Sequence, residues 1–87
     1  MLVGIVKDCY WIGAGISMTQ ETVPGAYKEE IALAVIEYLA KKECEQLNSG
    51  EEELFRCQPL GDQYDMAVLL WRGDDYNIVT GYRLVQI

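Results

Sequence analysis

The chain has 87 residues, 51% of them hydrophobic, with fourteen aspartates and glutamates against seven lysines and arginines and a formal net charge of −7. That length holds one domain with a single two-layer core, and the apolar half argues against disorder. The charge disfavours nucleic acid and anionic lipid as direct partners, and no apolar run approaches the roughly 20 residues that a membrane helix needs.

Residues 1–7 read as a first strand by their β-branched content, with Val3 and Ile5 on one side and Leu2, Gly4 and Val6 on the other. Lys7 and Asp8 end this apolar segment too early for a secretory signal, which points to a cytoplasmic protein. Asp8 and Cys9 are expected to turn the chain. Tyr10, Trp11 and Ile12 then face Ile16, Ser17 and Met18 across Gly13, Ala14 and Gly15, either as one strand interrupted by a bulge, the favoured reading, or as a hairpin. Residues 20–23 connect to the helix.

Residues 24–48 are expected to form the one long helix. At about 100° per residue, Ile31, Ala32, Val35, Ile36, Leu39, Ala40, Cys44 and Leu47 cover more than half of its circumference. That exceeds the stripe needed to cover one sheet face, so loops or a second chain should cover the surplus. Thr19, Thr22 and Pro24 suit the start, Glu29 and Glu30 favour the N-terminal dipole, and Asn48, Ser49 and Gly50 suit a stop. Glu37 and Lys41 have the spacing of an exposed ion pair.

After the helix, Leu54, Phe55, Arg56 and Cys57 read as a short strand, and Pro59, Leu60, Gly61 and Asp62 as a turn. Residues 64–72 form a strand that is apolar on both faces from Met66 to Leu70, as expected of a covered interior position. Gly73, Asp74 and Asp75 turn it into a last strand, 76–87, in which Tyr76, Ile78, Thr80, Tyr82 and Leu84 alternate with Asn77, Val79, Gly81, Arg83 and Val85. The expected fold is α+β: one long helix packed on a mostly antiparallel four- to five-stranded sheet, in the order β-β-α-β-β-β. The face away from the helix should accommodate some of Trp11, Trp71, Tyr76, Tyr82 and Arg83.

Histidine is absent, which removes the commonest general base and the usual nitrogen ligand of zinc. Cys9, Cys44 and Cys57 lack metal-type spacing and fit reduced thiols, and neither Cys57 beside Arg56 nor Cys44 beside Glu45 has a base or resolving cysteine nearby in sequence. Gly13-Ala14-Gly15 lacks the third glycine of a dinucleotide fingerprint. The aspartate pairs 62/65 and 74/75 lack calcium-loop spacing, and a pocket between helix and sheet lined by Tyr27, Tyr38 and Trp71 would have no convergent polar group. No catalysis, cofactor or metal is expected.

What stands out is acidity beside aromatic rings. Residues 43–53 carry Glu43, Glu45, Glu51, Glu52 and Glu53 and no basic residue, and Asp74 and Asp75 form a second acidic point. With Trp11, Trp71 and Tyr76 as aromatic support, these are the candidate partner-binding residues. Carboxylates along a ridge can occupy the places of phosphates on a basic, nucleic-acid-handling surface. In size, acidity and layout, though not in motif, the chain is similar to small phage and mobile-element inhibitors, anti-CRISPR proteins among them. The expected function is a non-catalytic inhibitor of a nucleic-acid-handling enzyme. The alternative is a self-associating structural or adaptor protein, a homodimer formed through the surplus apolar arc of the helix or through the last strand acting as a sheet edge.

Overall fold

Five strands and one helix follow in the expected order: β1 (Leu2–Tyr10), β2 (Met18–Lys28), α1 (Glu29–Leu47), β3 (Phe55–Leu60), β4 (Tyr64–Arg72) and β5 (Asp75–Gln86). The computed structural model describes residues 1–10, 18–48 and 54–87. The strands form one antiparallel sheet in the order β2-β1-β5-β4-β3, and α1 packs against all five.

The core beneath α1 joins Ala32, Ile36 and Ala40 to Ile5, Val68 and Tyr82, with Val35, Leu39, Phe55 and Leu84 around it. Glu43 fastens the far half of the helix. Its carboxylate accepts hydrogen bonds from Thr80 Oγ1 at 2.8 Å and Tyr82 Oη at 3.3 Å, with Lys7 Nζ 3.9 Å away. Burial, helped by this carboxylate, pushes the Tyr82 hydroxyl above its ordinary pKa, so it stays a donor. Surplus apolar surface on the helix remains uncovered, with Ile31 50% and Tyr38 56% exposed.

Neighbouring residues of β4 point to opposite faces. Ala67 and Leu69 therefore lie away from the helix, in a second cluster with Tyr64, ringed by Tyr10, Leu60, Trp71 and Ile78. A polar network adjoins it. Asp8, 4% exposed, accepts hydrogen bonds from Tyr64 Oη at 2.8 Å and Gln20 Nε2 at 3.0 Å, and Arg83 Nε lies 3.6 Å from it. The hydroxyls of Tyr10 and Tyr64 share a further hydrogen bond. Tyr64 stands on β4 and Asp8 on β1, with β5 between them. Gly81 opposes Asp8 on one side and Ala67 on the other, and a Cβ at Gly81 would collide with the Tyr64 ring. The missing side chain is the passage through which Tyr64 crosses β5.

Several boundaries differ from the sequence reading. The helix begins at Glu29, and residues 24–28 belong to β2. There Val3 and Ile5 of β1 face Tyr27 and Val23, so β2 bulges around Pro24 and Gly25, the latter at φ 113°. Proline suits a bulge on an edge strand as well as a first helical turn. Thr19 and Thr22 are therefore strand residues, and the N-cap is Lys28, without a side-chain cap. Asp8 and Cys9 continue β1, residues 20–23 lie in β2, and Pro59 and Leu60 end β3 before the turn at 61–63. Tyr10 pairs with Met18, so β1 and β2 run antiparallel and do not form one interrupted strand; residues 11–17 between them lie outside the described residues. The glycines at 13 and 15 lie outside the described residues.

The last strand is not an edge: β5 is central, between β1 and β4. Its alternation is also interrupted. Val68 faces Thr80 while Leu69 faces Ile78, leaving Val79 as an extra residue. Thr80, Tyr82 and Leu84 lie beneath the helix, whereas Ile78 joins the opposite cluster and Tyr76 packs on Trp71. Interior strand β4 is buried from Ala67 to Leu70, as its two-sided apolar run requires.

Two predictions follow from the passage at Gly81. Gly81→Ala should destabilise by about 1–3 kcal/mol through overpacking, read as a lowered urea midpoint. Burial alone would raise the Asp8 pKa, but hydrogen bonds from Gln20 and Tyr64 together with Arg83 outweigh it and hold it below its ordinary value. Its stabilisation is therefore complete above about pH 4 and is lost as pH falls through the lower folded value. Urea midpoints should drop in acid, and Asp8→Asn should flatten that drop more than Asp62→Asn.

Candidate docking surface at the hairpin corner

The β4–β5 connection is as tight as a hairpin allows. Arg72 opposes Asp75, and only Gly73 and Asp74 lie between them. Gly73 has φ 64°, the positive value at the first central position that twist-compatible hairpin turns require. The turn leaves Asp74 and Asp75 exposed. Immediately behind it, Trp71 and Tyr76 are cross-strand partners, with ring centroids 5.0 Å apart and planes inclined by 52°.

The start of β3 completes the corner. The Trp71 amide donates to Leu54 O at 2.9 Å, and Arg56 opposes Leu69. Alternation therefore puts Leu54 and Arg56 on the same face as Trp71. Leu54, Arg56, Trp71 and Gly73 line a cleft of about 340 Å³. Trp71 Nε1 is buried and has no acceptor among the described residues. The corner thus combines an exposed Tyr76, an exposed Leu54, a half-buried indole, two exposed arginines, Arg56 and Arg72, and two exposed carboxylates.

Of the sequence candidates, the fold brings Trp71, Asp74, Asp75 and Tyr76 together here. Glu43 is turned inward onto Thr80 and Tyr82, whereas Glu45 is exposed beside a different cleft. Trp11, Glu51, Glu52 and Glu53 lie outside the described residues. Tyr82 is beneath the helix, and Arg83 is on the opposite face, beside Asp8. Leu54 and Arg56 are not among the partner-binding residues that the sequence offers, and only their register against β4 joins them to Trp71. Tyr27, Tyr38 and Trp71 do not converge: Tyr27 Oη donates to Pro24 O at 2.8 Å, Tyr38 is on the outer side of α1, and Trp71 is on the far face of the sheet.

The cleft beside Glu45, about 370 Å³, lies where α1 meets β3 and is lined also by Lys41, Cys44, Asn48 and Cys57. Cys44 Sγ donates to Phe55 O at 2.9 Å, and burial, with Cys57 and Glu45 nearby, raises its thiol pKa. Burial likewise raises Cys9. These shifts take both thiols away from the reactive thiolate form. All three cysteines are free thiols, and among the described residues no three of His, Cys, Asp and Glu are grouped to hold a metal. Among the described residues, no helix is long and apolar enough to cross a membrane.

Gly73→Ala meets open space but must adopt the left-handed conformation. It should cost about 1–2 kcal/mol, measured by urea unfolding, and should alter the tryptophan emission as the turn that sets Trp71 against Tyr76 is strained. Compared with known protein families, curated proteins and solved structures, the chain matches none of them.

Proposed function

We propose that this protein is a non-catalytic, acidic protein-binding module that inhibits a nucleic-acid-handling enzyme by docking its hairpin corner on a basic surface. The observation that carries this reading is the placement of Asp74 in a two-residue turn and of Asp75 directly after it, immediately in front of the Trp71–Tyr76 ring pair. Aromatic anchors supply contact area at low entropic cost, and flanking carboxylates steer association with a positive partner and fix its orientation. A net charge of −7 adds long-range attraction of the same sign. The affinity is salt-sensitive, and the nucleic acid and this protein compete for one surface.

The test is capture from a bacterial lysate with the wild-type protein beside a variant carrying Asp74→Lys, Asp75→Lys and Trp71→Ala, with bound proteins identified by mass spectrometry. One nucleic-acid-binding enzyme should be retained by the wild type, lost by the variant and released by its own DNA or RNA. Retention of the same enzyme by both would refute the corner as its contact.

A second reading is self-association through α1, favoured by the exposed Ile31, Leu33 and Tyr38 on its outer side. It predicts a dimer whose sedimentation coefficient falls to that of a monomer with Ile31→Lys and Tyr38→Lys. A monomer at every concentration would dismiss it.

A further inference from the structure

The two edges of the sheet are treated differently. Because the Trp71 amide donates to Leu54 O in the β3–β4 ladder, Arg56 and Gln58 also turn their backbone groups toward β4, and Phe55, Cys57 and Pro59 turn theirs outward. Asn48 then occupies the outward position at Phe55. Its Oδ1 accepts from Phe55 N at 3.0 Å and its Nδ2 donates to Phe55 O at 2.7 Å, the pair of bonds a neighbouring strand would make. Cys44 Sγ adds a second donor to that carbonyl. At the other end Pro59 has no N–H to offer. The β3 edge is closed at both ends, leaving Cys57 as its one residue with both backbone groups turned outward.

The β2 edge has no such closure among the described residues. Residues 18–23, Met-Thr-Gln-Glu-Thr-Val, contain no proline, precede the bulge at Pro24 and Gly25, and are exposed except for the half-buried Val23. Antiparallel pairing with β1 satisfies one side of this strand and leaves every second residue's N–H and C=O facing outward.

We propose that this edge accepts an extended, lysine- or arginine-bearing segment of a partner protein as a sixth strand. Main-chain hydrogen bonds to residues 18–23 supply the affinity, and side chains at alternate positions supply the selection. The charge favours a basic occupant. Glu21 is exposed in the middle of the segment, and Glu29 and Glu30 are exposed where the same strand runs into α1, against Lys28 on β2 and Lys7, the cross-strand neighbour of Glu21 on β1, which is itself drawn toward Glu43. A second copy fits poorly: it brings another −7, and the side chains Thr19, Gln20, Glu21 and Thr22 form none of the apolar centre that dimer interfaces have. The proposal shares with the proposed function only the basic character of the partner. It uses the β2 edge, which β1 separates from the β4–β5 corner.

The test is amide hydrogen exchange on the intact protein, with a short peptide alternating lysine and threonine as the probe and the same sequence with every backbone nitrogen methylated as its control. The unmodified peptide should slow exchange at the outward amides of residues 18–23 by about tenfold or more. The methylated peptide, equal in charge but without N–H donors, should leave them unchanged, and Glu21→Lys should weaken the protection several-fold. Equal protection by both peptides, protection confined to other strands, or protection of 18–23 by self-association before peptide is added would each overturn the proposal. The variant with Asp74→Lys, Asp75→Lys and Trp71→Ala should keep the peptide response. Its loss of enzyme capture tests the corner alone, so the two readings fail separately.

Discussion

Tyr64 reaches Asp8 because residue 81 has no side chain, and the face of the sheet away from the helix depends on that reach. Asp8 is nearly buried on β1 and would be costly there as an unpaired charge. The hydroxyl arriving from β4, the amide of Gln20 on β2 and the guanidinium of Arg83 on β5 make it tolerable. Four of the five strands thus contribute to one carboxylate. Because the Tyr64 ring lies across Gly81, the same contact that satisfies Asp8 also covers the centre of β5, where a flat stretch of backbone would otherwise meet water.

On the other face, Glu43 plays the corresponding part for the helix. Apolar packing at Ala32, Ile36 and Ala40 brings α1 onto the sheet. The hydrogen bonds from Thr80 and Tyr82 to one glutamate fix its position along the strands. Among the described residues, Asp8 and Glu43 thus hold the layers of the fold, whereas Asp74 and Asp75 add to its surface charge.

Much of this was legible from residue pattern. The two-sided apolar run of β4 and the Gly73 turn identified the last hairpin, and the helical periodicity from Ile31 onward identified α1. The start of the helix was not legible because Pro24 fits a first helical turn and an edge-strand bulge equally well, and Gly25 signals the bulge only once its pairing with β1 is known. Nor was the fate of Glu43. In sequence it belongs to an acidic run, and only the third dimension puts Thr80 and Tyr82 beneath it. The corner was half legible: Trp71, Tyr76, Asp74 and Asp75 are neighbours through one turn, whereas Leu54 and Arg56 arrive through a register that local pattern does not encode.

Val79 is a single extra residue in β5. It acts as a phase shift: before it, every second side chain serves the outer surface, and after it the same parity serves the interior wall. One strand can then carry a display position at Tyr76 and a core position at Tyr82 although six residues, an even number, separate them. The arrangement makes this strand tolerant of changes in side chain and intolerant of changes in length. Losing or gaining one residue there would flip one half of the strand relative to the other, sending the surface aromatics inward if the core keeps its register, or the core outward if the corner keeps its own.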